Sequence, residues 1–192
     1  MLISDEYRTL NQQLHSDRKD YGSYGSKWAN HVLSLAEGMG TQSVLDYGCG
    51  KGTLGANMPF DIQQYDPAIE KHSSRPNPAD LVVCTDVLEH IEPSCLDDVL
   101  NDIWSLCNKG VFLVIHNGPA AKKLADGRNA HLIQENEIFW LGALLPRFEL
   151  ITFSANIGKK HSNERPVLEY LVAGVKRPGF SIEKPDTTEG TS

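Results

Sequence analysis

The stretch Val44–Leu54, VLDYGCGKGTL, decides how the rest of the 192-residue chain is read. Val44 and Leu45 are the end of a buried strand, and Gly48, Gly50 and Gly52 follow at once. Thr53 to Met58 then reads as the start of a short helix. A strand that runs into a glycine turn and a helix is a nucleotide-binding turn, because glycine lets the backbone approach a ligand closely. Gly50 is the position expected to meet that ligand most closely, so that a side chain there would collide with it. The spacing carries more. A dinucleotide turn, G-x-G-x-x-G, would put its third small residue where this chain has Thr53. The pattern here is G-x-G-x-G, with an acid, Asp46, two residues ahead of Gly48.

Working outward, Trp28, Val32, Leu35 and Ala36 repeat at helical spacing, which predicts a helix from Ser26 or Lys27 to Gly38. The turn-rich DYGSYGS at 20–26 precedes it as an irregular segment, so residues 1–38 form a leading lid and helix. Strands are predicted at 42–47, 61–65, 81–85 and 111–116, and a pair at 148–155 and 166–175. Between 67 and 79 at most one helical turn fits. Helices are predicted from Pro93 to Cys107, where Leu96, Val99, Leu100 and Ile103 share one face, and from Glu135 to Leu145. Alternating strands and helices imply one α/β domain over residues 1–176, with a mostly parallel twisted sheet, helices on both faces and an antiparallel C-terminal edge. Residues 177–192 read as a disordered tail.

Three acids stand at predicted strand ends: Asp46, Asp66 (followed by Pro67) and Asp86. In a doubly wound sheet the ligand lies over the carboxyl ends of the strands, so these acids line one crevice. A carboxylate at Asp66 can accept both ribose hydroxyls of an adenosine cofactor. Asp66-Pro67 also has a plain reading, as the start of a turn.

The glycine pattern with Asp46 resembles motif I of the class I S-adenosylmethionine-dependent methyltransferases. The segment DLVVCTDVLEHIEP at 80–93 resembles the end of the fourth strand in that superfamily, most closely in small-molecule O-methyltransferases of the ubiquinone-biosynthesis type. The resemblance implies a Rossmann-like methyltransferase fold whose third-strand region is shortened here. It also implies S-adenosylmethionine as cofactor and S-adenosylhomocysteine as product. Carried over by position, Gly48, Gly50 and Gly52 form the cofactor turn, Asp66 and Pro67 meet the ribose, and Thr85 and Asp86 meet the methionine portion. Glu89 and His90 also match, and are read as helix-start and packing residues. Lys27 is expected to reach the cofactor carboxylate, and either His116 or His131 to take the acceptor's proton.

The sequence also bounds the acceptor. No Asn/Asp-Pro-Pro-Tyr and no Pro-Cys is present, which argues against methylation of DNA bases. The net charge of −7 argues the same way against broad nucleic-acid binding. The Asp, Glu and His residues show no metal-ligand spacing, so no metal is expected. Lys122, Lys123, Arg128, Lys159, Lys160 and Arg165 would suit an acidic or phosphorylated acceptor as a basic rim, and equally read as solvated loop charges. Four cysteines without a CxxC pair, no signal peptide and no apolar run of membrane length fit a cytoplasmic enzyme. The expected activity is methyl transfer to oxygen or nitrogen of a small molecule. A NAD-binding oxidoreductase and a non-catalytic cofactor-binding adaptor are the alternatives.

Overall fold

The run VFLVIH at 111–116 is apolar without a break because the sheet is covered on both faces. In the computed structural model, which describes residues 1–18, 21–157 and 168–182, this run ends strand β4 (Cys107–His116) inside a six-stranded sheet. The other strands are β1 (Val44–Tyr47), β2 (Gln63–Tyr65), β3 (Ala79–Thr85), β5 (Phe148–Ile157) and β6 (Leu168–Lys176). Their order is β2-β1-β3-β4-β6-β5. The first four strands in this order are parallel to one another, whereas β6 is antiparallel to both β4 and β5. This is the expected Rossmann-like α/β architecture. Among the described residues no strand lies between β2 and β3, so the three-residue β2 is the sheet edge on that side.

Alternation along the strands splits the core in two. Val44, Leu81, Val83, Phe112 and Val114 face α2 (Ala29–Gly38) and meet Trp28, Val32 and Ala36. Leu45, Val82, Cys84, Val111, Leu113 and Ile115 face the other way, onto α3 (Leu96–Leu106) and α4 (Glu137–Leu144). Each large apolar side chain buried this way contributes about 1.5–3 kcal/mol. Trp28 and Trp140 belong to these layers, and all four cysteines are buried free thiols.

Sheet order places the crevice. The chain leaves β1 for β2 on one side and returns to β3 on the other, so the carboxyl ends of β1 and β3 flank the switch point. Asp46, Asp66, Asp86 and His116 all stand at this edge.

Several elements differ from the sequence reading. A helix not foreseen, α1 (Asp5–Asp17), is capped by Ser4, whose hydroxyl accepts the Tyr7 N–H at 3.1 Å. After the glycine turn the chain makes only a single 3₁₀ turn at Gly55–Asn57, because Gly55 and the β-directed Met58 prevent a longer helix. Strand β4 starts at Cys107, next to the end of α3, rather than at Val111. In the stretch read as a tail, Arg177 N–H donates to the Arg147 carbonyl and Phe180 packs edge-on to Trp104 at 5.1 Å. The rest of that stretch, 183–192, lies outside the described residues, as do Lys159, Lys160 and Arg165. Among the described residues no helix is long and apolar enough to cross a membrane.

Candidate active site

The glycine turn is held from behind. Gly48 and Cys49 N–H groups donate to the Tyr65 carbonyl at 2.7 and 3.0 Å, which ties the turn to the end of β2. Gly48, Gly50 and Gly52 all take positive φ, a region other residues adopt only with strain. At Gly50 the protein itself makes a close approach. A Cβ there would lie 2.6 Å from the Gly22 carbonyl oxygen, so the turn is met by the leading segment of the chain itself. Lys51 N–H donates to the same carbonyl at 2.9 Å. A β-carbon at Gly48 would strike Val87, and one at Gly52 would strike Gln64.

Asp66, 8% exposed, accepts Gly50 N–H at 3.1 Å on one oxygen and Ala68 N–H at 2.9 Å on the other. Asp46 is 3% exposed, and burial, with Asp66 nearby, pushes its carboxyl up to about 7. Asp86 has φ 57°, a left-handed conformation that turns the chain sharply at the end of β3.

These residues share one cavity of about 570 Å³. Asp46, Gly48, Gly50, Asp66, Pro67, Thr85, Asp86, Lys27, His116 and His131 all line it, so the expected site residues converge with the exception of Gly52. Its roof is α1 and the segment 21–25. Tyr7 and Leu14 of α1 pack with Leu124 and Ala130 of the loop after β4, and Tyr21 packs against this cluster. Tyr7 also donates its hydroxyl to the His90 carbonyl at 2.5 Å.

Two expectations change in detail. Lys27 does not stand free for a ligand: its ammonium pairs with Glu169 at 2.7 Å and lies over the Trp28 ring. Arg128, expected on a basic rim, pairs with Asp126 at 2.6 Å and approaches Glu6 at 3.7 Å, so its charge is neutralised locally.

The histidines form a cluster. His116 Nε2 lies 3.0 Å from Asp86 Oδ1 and 3.6 Å from Glu169 Oε1. Burial works against the charged ring, but the Asp86 hydrogen bond and the charges of Glu89, Asp86 and Glu169 outweigh it and raise its pKa. His131 stacks on His116 at 5.9 Å and meets His90 edge-on at 4.6 Å. Burial lowers the pKa of both, that of His90 to about 3.

Sequence reasoning gave Glu89 and His90 only packing roles and passed over Glu169 and Gly22. Glu89 is fully buried, accepts the His116 N–H at 3.2 Å, and burial, then Asp86, push it up to about 8. The signal for Glu169 was an acid inside the apolar run LEYLVAGV, and for Gly22 the tyrosine–glycine repeat before α2.

Known proteins share this fold. Residues 16–154 match the family model described as a methyltransferase domain. No curated protein sequence matches the chain. Among solved structures, 1,6-didemethyltoxoflavin-N1-methyltransferase of Burkholderia thailandensis, bound to 1,6-didemethyltoxoflavin and S-adenosylhomocysteine, superposes with a TM-score of 0.59 at 14% identity, over 89% of each chain. Magnesium protoporphyrin IX methyltransferase of Synechocystis PCC 6803, with bound S-adenosylmethionine, gives 0.55 at 16% identity over 79% of each chain. An N-methyltransferase of Bradyrhizobium japonicum WM9 with S-adenosylhomocysteine gives 0.54 at 16% identity, over 91% of this chain and 100% of that one. At these identities the structures establish the fold, and the family match covers well over half of the sequence. The glycine turn, the acids at the strand ends and the matched span lead to one assignment: the chain belongs to the methyltransferase-domain family of S-adenosylmethionine-dependent class I methyltransferases.

Proposed function

We propose that this enzyme methylates an oxygen or nitrogen of a small molecule held under the α1 roof. The observation that carries the reading is that the strand-end acids and the histidine cluster line one cavity. Its volume, about 570 Å³, is in the range that encloses small ligands and cofactors.

The residues fit the cofactor. A carboxylate offers about four lone-pair positions, and Asp66 gives two to backbone N–H groups, which leaves two for the ribose hydroxyls. The same backbone bonds hold its oxygens in place before the ligand arrives. Thr85 and Asp86, at the corner of β3, face the methionine portion, and the glycine turn with Pro67 encloses the nucleoside. Asp46 sits beneath, a buried acid suited to a cationic ligand. S-adenosylmethionine, when bound, supplies an electrophilic methyl carbon on its sulfonium. The chain's own residues then have three tasks: hold the acceptor in line, exclude water and receive a proton.

Exclusion of water falls to Tyr7, Tyr21 and the loop at 118–132, which cover the cavity. The proton falls to His116. Its Nε2 lies 3.0 Å from the Asp86 carboxylate, whose charge favours the protonated ring that would form. His131 lies on the acceptor side and positions the reacting atom. A structural neighbour, the 1,6-didemethyltoxoflavin-N1-methyltransferase, acts on a small molecule, which favours an acceptor of that size. Basic recognition of an acidic acceptor rests on Lys122, which lines the cavity beside Tyr21.

The test is a screen for S-adenosylhomocysteine release across hydroxyl- and amine-bearing small molecules, with NAD reduction measured in parallel. Turnover with any such acceptor supports the reading. Cofactor binding without turnover on every class would return the adaptor alternative. With an acceptor in hand, His116→Ala should lower turnover by roughly 10²–10⁴-fold and remove the acidic limb of the pH profile. Near-normal turnover with that limb intact would leave positioning alone to carry the reaction.

A further inference from the structure

Glu169 is an acid inside an apolar strand. It stands second in β6, LEYLVAGVK, with a side chain only 12% exposed. A carboxylate so far from water keeps its charge only where partners replace the water. The antiparallel register sets Glu169 directly opposite His116, the last residue of β4. Just beyond this pair the strands are clamped. Asn117 N–H donates to the Leu168 carbonyl at 3.2 Å, and Asn117 Oδ1 accepts the Leu168 N–H at 2.8 Å. On the other side of Glu169, Tyr170 is 1% exposed and anchors β6 in the core. The strand end that carries Glu169 is therefore fixed against the strand end that carries His116.

The His116 ring is set beside two carboxylates. Its Nε2 lies 3.0 Å from Asp86 Oδ1 and 3.6 Å from Glu169 Oε1. Ionised carboxylate oxygens only accept, so the nitrogen between them is the one that carries a proton, and Nδ1 keeps the lone pair. Three further elements bring charge to the ring. From the turn Leu88–His90, Glu89 accepts the His116 backbone N–H, and the His90 and His116 rings oppose each other's charge. From the loop after β4, His131 stacks on the ring. From the leading segment, the Lys27 ammonium reaches the same Glu169 oxygen at 2.7 Å. Glu169 Oε1 thus stands between an ammonium and an imidazole. Lys27 is half exposed and rests over the Trp28 ring.

We propose that Glu169 is a positioning residue for the proton acceptor, a role that rests on the reading that His116 receives the proton. With Asp86 it holds Nε2 and steadies the imidazolium that forms, while Lys27 tempers its charge. The O–H or N–H bond of the methyl acceptor breaks, its electron pair stays on that atom, and the proton joins Nδ1. The imidazolium afterwards gives one proton to water and returns to the neutral ring. If Glu169 and Lys27 were only a structural ion pair, the ring would be indifferent to either. As a positioning residue and its counter-charge, they act on the ring in opposite directions.

Proton NMR of the full-length protein tests this, by following the His116 ring signal against pH. The signal missing from His116→Ala identifies it. An opposite charge within about 4–6 Å is worth roughly ten- to a thousandfold in proton affinity. Glu169→Gln keeps the shape and removes the charge, and with Lys27 screening part of that charge it should weaken proton affinity roughly tenfold. Lys27→Met uncovers the Glu169 charge and should strengthen proton affinity roughly two- to tenfold. Amide spectra show whether each variant is folded, and Lys27→Met decides by its sign if Glu169→Gln is not. With an acceptor in hand, the acidic limb of turnover should move to lower pH in Glu169→Gln and to higher pH in Lys27→Met. An unchanged His116 titration in either folded variant would overturn the proposal, as would shifts of the same sign in both. The NMR readout needs no acceptor, so it is separate from turnover. Opposite shifts with near-normal turnover of His116→Ala would overturn the reading that His116 receives the proton, and the role of Glu169 with it.

Discussion

At the residue scale, two buried acids under the glycine turn have different work, and substitution separates them. Asp66 accepts two backbone N–H groups, and on the proposed reading its remaining lone pairs meet a ribose. Charge-assisted hydrogen bonds contribute about 1.5–3 kcal/mol, so Asp66→Ala should weaken S-adenosylmethionine binding roughly ten- to a hundredfold by calorimetry. A change below about twofold would count against the ribose assignment. Asp46 is a matter of linkage. Burial, with Asp66 nearby, pushes its carboxyl from 3.8 up to about 7. Between those values the folded chain holds a proton that the unfolded chain has lost, so stability from this group is present below 3.8 and is lost as pH rises toward 7. Asp46→Asn removes that dependence. Urea unfolding of variant and wild type should therefore diverge in the variant's favour from about pH 4 to about pH 7 and run parallel above it. A constant offset would mean that Asp46 is not displaced.

At the scale of elements, α1 is the part of the roof that closes the site, and its attachment is local. Ser4 N–H and hydroxyl both donate to the Glu92 carboxylate, at 2.9 and 2.8 Å, just beyond the LEH turn. Ser4 also caps the helix, and loss of such a cap costs about 0.5–2 kcal/mol. Glu92→Ala should raise amide exchange across 5–17 without altering exchange in β4, and Ser4→Ala should do the same more strongly. Uniform exchange changes in both elements would show that the roof and sheet open together. This helix was within reach of the sequence: Ser4 precedes Asp5 and Glu6, and Tyr7, Leu10 and Leu14 follow at helical spacing. What hid it is that its apolar residues meet a loop cluster rather than the sheet, so few of its positions need to be apolar. The sheet strands were legible for the opposite reason. β3 and β4 are buried on both faces, and burial leaves its mark as the unbroken runs LVVC and VFLVI. Among site residues, the acids at strand ends followed from topology, because strand ends define the crevice. The meeting of His90 and His131 did not follow, since nothing local announces which loop residue returns to a given turn. At Gly50 the neighbour is another backbone segment, Gly22, and such a contact leaves no spacing to read.

For the whole molecule, the proposed reading divides one cavity into a cofactor half and an acceptor half, and thermal unfolding tests that division. The cofactor half is built from β1, β2 and the corner after β3, around Asp66. The acceptor half is built from the LEH turn, the end of β4 and the loop at 118–132, around the histidines. A ligand that binds only the folded chain stabilises it by about 2.7 kcal/mol at a concentration 100 times its Kd. For a chain of this length each kcal/mol moves Tm by about 2–4 °C, so saturating S-adenosylhomocysteine should raise Tm by about 5–11 °C. Gly50→Val forces a side chain into the Gly22 carbonyl, which lifts the leading segment from the turn. Its Tm should fall without ligand and rise little with it. His116→Ala and His131→Ala lie in the other half, so each should keep most of the ligand-induced rise whatever happens to turnover. If the histidine variants lose the shift as completely as Gly50→Val, the two halves are a single cooperative site, and Asp86, which touches His116 and faces the corner of β3, is the residue that joins them.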